Sequence, residues 1–402
     1  MSGNPRVPLG VLDLVPVVSG SDASSALANT VDLAQRAEAL GYGRYWFAEH
    51  HLNPGVAGTS PALLIALVAE LTQRIRLGSG GVQSGHRTAL SVVEEFGLLA
   101  ARHPGRIDLG LGRSGGRDFL TKRLAGLSKE GQRPEGDRPP KPGAYRTDEG
   151  LLIPERPSMR HLAGSPRLAA TADLLQQPDA TTPEYDKLLD DIVGLLEGTY
   201  RAANGVPTEP VPGTGADVEL WVLGSSAGES AAVAGRRALR FAGNYHVSPA
   251  TVLEAVDAYR EAFVPSEALP RPYVAVSADV VVAEDDDTAA QLASGYGLWV
   301  LGIRRGEGAR AFPSPAESRA HRWSDEDRAL VKDRVDTQFV GGPATVVAQL
   351  EQLQAATEAD ELVVTTVTHD HEARARSFAL LAEAWFEGST ASSAAPTVAV
   401  SG

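Results

Sequence analysis

Residues Tyr45–Asn53 read YWFAEHHLN, an apolar strand pattern that runs into a carboxylate and two adjacent histidines. The chain repeats one unit on either side of it. Upstream, LGVLDL (Leu9–Leu14) has the composition of a strand, and Ser24–Leu40 carries Leu27, Val31, Ala34, Ala37 and Leu40 at helical spacing before Gly41. Downstream, the pattern predicts a helix over Pro61–Leu71, a strand at IRLGSGG from Ile75, a helix over about Ala89–Ala101 and a strand at RIDLGLGR from Arg106. Four strand–helix units without a hairpin signal imply right-handed crossovers and a parallel sheet. ELWVLGSS (Glu219–Ser226), ALRFAGN (Ala238–Asn244), YVAVSADVVVA (Tyr273–Ala283) and ELVVTTV (Glu361–Val367) supply four more strands, each followed by a helical segment. Eight such units predict an α/β fold, a closed (β/α)8 TIM barrel, with a doubly wound open sheet as the alternative. In a barrel the EHH triplet falls at the C-terminal rim, where chemistry is housed.

Composition narrows the function. The 402 residues are 43% hydrophobic and carry a net charge of −14, which argues against nonspecific binding to nucleic acid or to an anionic membrane. The absence of cysteine excludes disulfides, thiolate ligands and cysteine nucleophiles. With no signal-type apolar region at the start and no apolar run of about 18 residues, a cytoplasmic location is the default expectation. The chain reads as a single domain over 1–387, and the small, polar stretch 388–402 as a disordered tail. Two segments break the repeat: about 125–182, with KEGQRPEGDRPPKPGAY, and about 304–325, with RRGEGARAFPSPAESRAHRW. They are expected as insertions after strands four and seven, outside the core, either as plain surface loops or as lids over the site.

Several motifs gather at the strand ends. LGLGRSGG places Gly110, Gly112 and Gly115 in G-x-G-x-x-G spacing, but on the fourth strand of a regular series, which weakens a dinucleotide reading. Arg113 within it has glycine neighbours that leave room for a ligand phosphate. LGSSAGES offers Gly224, Ser225 and Ser226 before a helix, an anion site or a plain serine cap. No Walker-type GKS or GKT occurs. Gly78–Gly81, including Gly80 and Gly81, would let a flat ring lie against backbone or simply form a loop needing positive φ. Asp13, Gln83, His86 and Arg87 are candidates for the substrate pocket. His50 and Glu49 are the candidate catalytic pair. No metal site is expected, since H-E-x-x-H is missing and THDH (Thr368–His371) is the one rival ligand source.

Taken together, YWFAEHH, IRLGSGG, HPGRIDLGLGRSGGRDF, WVLGSS, FVGGPATV and ADELVVTTVTHDH resemble the bacterial luciferase-like flavin monooxygenase family, in order over most of Leu9–Phe386. The resemblance implies a barrel that binds reduced flavin mononucleotide (FMN), or a deazaflavin as the alternative. Members oxygenate small organic substrates, possible in secondary metabolism, or transfer hydride from the deazaflavin; a noncatalytic flavin-binding relative is a further alternative. By the same resemblance His50 is the catalytic histidine, with Glu49 before it, and His51 is structural. Arg113, with Gly115 beside it, and Gly224, Ser225 and Ser226 hold the flavin phosphate, and Gly80 and Gly81 form a non-prolyl cis peptide beneath the ring. The deazaflavin reading would use Arg117, Lys122 and Arg123 for that coenzyme's acidic tail. A separate NAD(P)H flavin reductase and a homodimer are the implied partners. The chain departs from the family in its polar QSGHRTAL stretch, in Gly112 where luciferase has a reactive cysteine, in Gly224-Ser225 where the family has Glu-Ser, and in its long, Pro-rich insert.

Overall fold

The computed structural model describes residues 6–114, 117, 121–122, 125–126 and 142–390. Eight parallel strands close into a barrel: β1 (Leu9–Asp13), β2 (Arg44–Phe47), β3 (Arg76–Ser79), β4 (Ile107–Gly112), β5 (Val218–Gly224), β6 (Arg240–Asn244), β7 (Val274–Val282) and β8 (Glu361–Thr365). Closure runs through β8, which pairs Leu362 with Leu9 of β1 and Val364 with Ala278 of β7. The open sheet is thereby excluded. Helices α1 (Ala23–Ala39), α2 (Pro61–Ala69), α3 (Ala89–Arg102), α4 (Tyr185–Glu197), α5 (Glu229–Arg236), α6 (Val252–Ala262), α7 (Pro343–Thr357) and α8 (His371–Thr390) follow the strands in turn. Several begin at a start signal in the sequence; Asp22 accepts from Ser25 N at 2.8 Å to cap α1, and Pro61 and Pro343 open α2 and α7. The α8 helix runs through Thr390, so the first residues assigned to the tail are helical; 391–402 lie outside the described residues.

Side-chain alternation divides the core in two. Leu9 and Val11 of β1, with Tyr45 and Phe47 of β2, pack outward against the helices, whereas Leu12, Trp46, Trp221, Ala242, Ala275 and Val363 fill the barrel interior. At the N-terminal floor, Arg44 crosses the barrel. Its guanidinium donates to Glu361 Oε1 at 2.5 Å and to Asp108, and reaches Glu219 at 3.2 Å. Gly10 makes the crossing possible, because a Cβ there would lie 2.6 Å from Arg44 Cγ.

Both insertions sit after β4 and β7, as the repeat breaks predict, but parts of each belong to the core. Leu151 and Ile153 of the first, from the described part 142–182, are buried in the outer cluster; 127–141 lie outside the described residues. In the second, Phe312 is fully buried beside Trp299. Backbone bonds stitch that loop to the β1 and β2 loops: Phe312 N donates to Val17 O at 2.8 Å, and Gly55 N to Ala309 O at 2.8 Å. Pro and charge density concealed a few apolar anchors, enough to fix each insertion to the barrel.

Candidate active site

A cavity of about 570 Å³ occupies the C-terminal end of the barrel. The EHH triplet forms one wall. Strand β2 ends at Phe47, and His50 N donates to Gly58 O at 2.8 Å, so the backbone turns out of the sheet there. Gly58 closes that turn; a Cβ on it would stand 2.9 Å from both Ala48 O and Leu14 O. Strict strand alternation therefore stops short of the histidines. Both His50 and His51 line the cavity, although period-two alternation alone would set adjacent residues on opposite faces.

Glu49 is 3% exposed and saturated with donors. Its Oε1 takes hydrogen bonds from Nε2 of His51 at 2.8 Å and lies 3.3 Å from Nε2 of His86, and its Oε2 accepts from Gln83 N at 2.9 Å. Burial alone would raise its pKa; His51, His86 and Gln83 overcome that and bring it from 4.5 down to about 2. Glu49 is thus a fixed anion that orients two imidazoles. His50 differs: burial, then the neighbouring His51, lowers its pKa, so it stays neutral and able to accept a proton.

The opposite wall contains a residue that the sequence reading missed. His246, two residues beyond β6, lines the same cavity with its Nδ1 2.6 Å from Ser277 Oγ. Burial first, then Arg334 and His50, push its pKa down to about 3. Asn244 at the end of β6 also lines the cavity, and its buried Oδ1 has no hydrogen-bond partner among the described residues. A histidine just past a strand end was the available signal.

The remaining residues sort by position. Gly80, Gly81, Gln83, Arg113, Gly224, Ser225 and Ser226 line the cavity. The Gly80–Gly81 peptide is cis. The need for glycine at both positions comes from behind: a Cβ would meet Leu12 Cδ1 at 2.7 Å from Gly80, or Gly110 O at 2.7 Å from Gly81. Gly115 lies outside the described residues. Three of the proposed pocket residues do not line the cavity. Asp13 is fully buried beneath it, accepting from Thr30 Oγ1 at 2.7 Å, Tyr45 OH at 2.6 Å and Arg374 at 2.7 Å. It shares the outward face with Leu9 and Val11, so its carboxylate serves the helix layer. Arg87 pairs with Glu95 of α3, and His86 stands behind the wall on Glu49. In THDH, His371 is held by Asp32 at 2.7 Å and His369 by Ser19 O at 3.0 Å. Glu49, His51 and His86, and separately Asp32, His371 and Glu372, bring possible ligand atoms within 4.8 Å of one another; in the first group both histidines lie on Glu49, and in the second Asp32 holds His371 while Glu372 pairs with Arg36.

The sequence profile of the luciferase-like monooxygenases matches residues 7–134 and 167–361. The chain belongs to that family. Among its relatives, the uncharacterized Bacillus subtilis protein YvbT is 34% identical over 387 residues, covering 96% of this chain and 99% of its own. An Escherichia coli luciferase-like monooxygenase is 31% identical, covering 93% and 96%. The crystal structure of apo-MsnO8 superposes with a TM-score of 0.72 at 30% identity, over 95% of this chain and 98% of that one. At the level of fold, the oxygenating constituent of 3,6-diketocamphane monooxygenase from Pseudomonas putida, solved with FMN, reaches 0.60 at 18% identity over 94% and 97%.

The luciferase-like cavity has a phosphate-compatible end. Helix α5 starts from Gly228 without a side-chain cap, next to Ser225 and Ser226, and its first N–H groups are orphan donors at the rim. Arg113, at the end of β4, reaches the same helix start and donates to Glu229 Oε2 at 2.6 Å. Guanidinium, hydroxyls and helix N-terminus together fit a dianionic phosphate, with Glu229 as the one opposing charge. No helix among the described residues is long and apolar enough to cross a membrane.

Proposed function

We propose that this chain is a monooxygenase that takes reduced FMN from a separate NAD(P)H flavin reductase and oxygenates a small organic molecule. One observation carries the reading: the Arg113–Ser225–Ser226 anion end and the neutral His50 face a single cavity, joined along the Gly80–Gly81 edge. Reduced flavin bound there would give two electrons to oxygen, one oxygen atom ending in the substrate and the other in water. Arg113 and the two serines hold the phosphate, and the start of α5 adds backbone donors. His50 accepts and returns a proton at its imidazole, helped by burial that keeps it neutral. Glu49 fixes His51 and His86 and so keeps that wall rigid. The insertions serve as lids, with Met159, Leu162 and Leu168 from the first and Gly306 and Gly308 from the second lining the cavity and excluding water.

The test is an anaerobic titration of the purified protein with reduced FMN and, separately, with a reduced deazaflavin, followed by oxygen in a stopped-flow spectrometer. Reduced FMN should bind and show a transient absorbance distinct from both the reduced and the oxidised flavin. Tight binding of the deazaflavin alone, with no reaction with oxygen, would sink the proposal and favour a hydride-transferring enzyme.

A further inference from the structure

We propose that Arg167 is the docking point for a carboxylate on the substrate, so that the molecules this enzyme oxygenates are small acids with an apolar body. The inference rests on the flavin reading above and adds the substrate class. Four charged side chains line the cavity: Glu49, Arg113, Arg167 and Glu229. Three are already compensated, Arg113 by Glu229 at 2.6 Å and Glu49 by His51 at 2.8 Å. Arg167 is the exception. Its Nη2 is buried, and among the described residues it has no hydrogen-bond acceptor and no carboxylate within 4.0 Å.

Arg167 itself is half-buried, but a guanidinium N–H group that is buried without an acceptor is costly, and such a group is tolerated where a ligand supplies the missing oxygen. The surroundings hold it in place. Arg167 is the second residue of the insertion helix Pro166–Leu175 and lies against Gly308 of the second insertion, where a Cβ would fall 2.6 Å from Nη2. The same point is 2.7 Å from Asn53 Oδ1. That oxygen is already occupied by Ala309 N at 2.8 Å. Its neighbours therefore come from the β2 and β7 loops, whereas those of Arg113 come from the β5 loop on the other side of the barrel. Two cations on opposite sides fit two anions, the cofactor phosphate at one and a second group at the other. In the same cavity the first insertion contributes Met159, Leu162, Leu168 and Leu175, and Ile303 comes from the helix Tyr296–Arg304; all suit an alkyl or aryl body and not a second charge. The planar fork of arginine matches the two oxygens of a carboxylate.

The experiment uses the full chain loaded with oxidised FMN and three probes, 3-phenylpropanoate, its methyl ester and 3-phenylpropanesulfonate, titrated by calorimetry and by the flavin absorbance. The acid should bind at least about 10-fold tighter than the ester. Arg167→Gln should cost the acid about 30-fold and leave the ester and FMN unchanged, and Arg167→Lys should fall between the two. Equal binding of acid and ester by the natural protein overturns the proposal, as does tighter binding of the sulfonate than of the acid. An Arg167→Gln protein that loses FMN to the same degree places Arg167 at the cofactor and also overturns it. If Arg167→Gln does not fold, Arg167→Lys decides alone: an acid-to-ester ratio equal to that of the natural protein refutes the role. Failure of the natural protein to bind FMN strikes the flavin reading instead; calorimetry on the unloaded chain still reads the acid–ester difference.

Discussion

Replacing Glu49 by Gln removes the one fixed anion of the histidine wall, and its effect can be worked from the site. The carboxylate is buried on three donors, and its pKa falls from 4.5 to about 2. At 1.36 kcal/mol per pH unit, that difference corresponds to about 3.4 kcal/mol of folding stability carried by the ionised group. Because the folded pKa lies below the unfolded one, this stability is fully present above about pH 4.5 and is lost as pH falls toward 2. By pH 3 about 2 kcal/mol of it should be gone. Glu49→Gln cannot titrate, so the natural protein should exceed the variant in urea stability by about 3 kcal/mol at pH 7, and the gap should shrink steadily below pH 4.5. The assay is a set of urea midpoints for both proteins between pH 7 and pH 3. Every other carboxylate titrates in both chains, and the difference isolates Glu49. A gap that stays constant across that window would refute the claim that His51, His86 and Gln83 hold the carboxylate ionised.

Three further outcomes follow from the same structure. His50→Ala should lower turnover by about 10²- to 10⁴-fold with FMN affinity unchanged in fluorescence titration, and the acid limb of the natural enzyme's turnover should lie below pH 6.5, because burial keeps His50 neutral. Arg113→Gln should weaken FMN by about 10- to 100-fold, while Glu229→Gln should tighten it by no more than about 5-fold, since both side chains are about two-fifths exposed and screened; isothermal calorimetry reads both. Arg44→Met leaves Glu361 in the barrel floor without its paired cation and Asp108 with Arg76 alone, and should cost about 3–5 kcal/mol in urea unfolding.

The sequence by itself determined the barrel. Apolar alternation, helical spacing, the stop at Gly41 and the start at Pro61 are local signals, set by backbone sterics and hydrogen bonding within a few residues, and all eight strands were legible from them. So were the two insertions and the position of EHH at the C-terminal rim. Tertiary structure decided what meets what. Period two in β1 groups Asp13 with Leu9 and Val11, but only closure of the barrel makes that the outer face and turns Asp13 toward Arg374, 361 residues away. The pairing of Arg113 with Glu229 spans 116 residues, and His246 and Arg167 enter the cavity from β6 and from an insertion whose composition reads as surface loop. Such contacts depend on the summed geometry of many elements, and no window of the chain contains both partners. Local rules therefore specified the scaffold, and only the closed barrel with its insertions folded over it fixed which charges are paired.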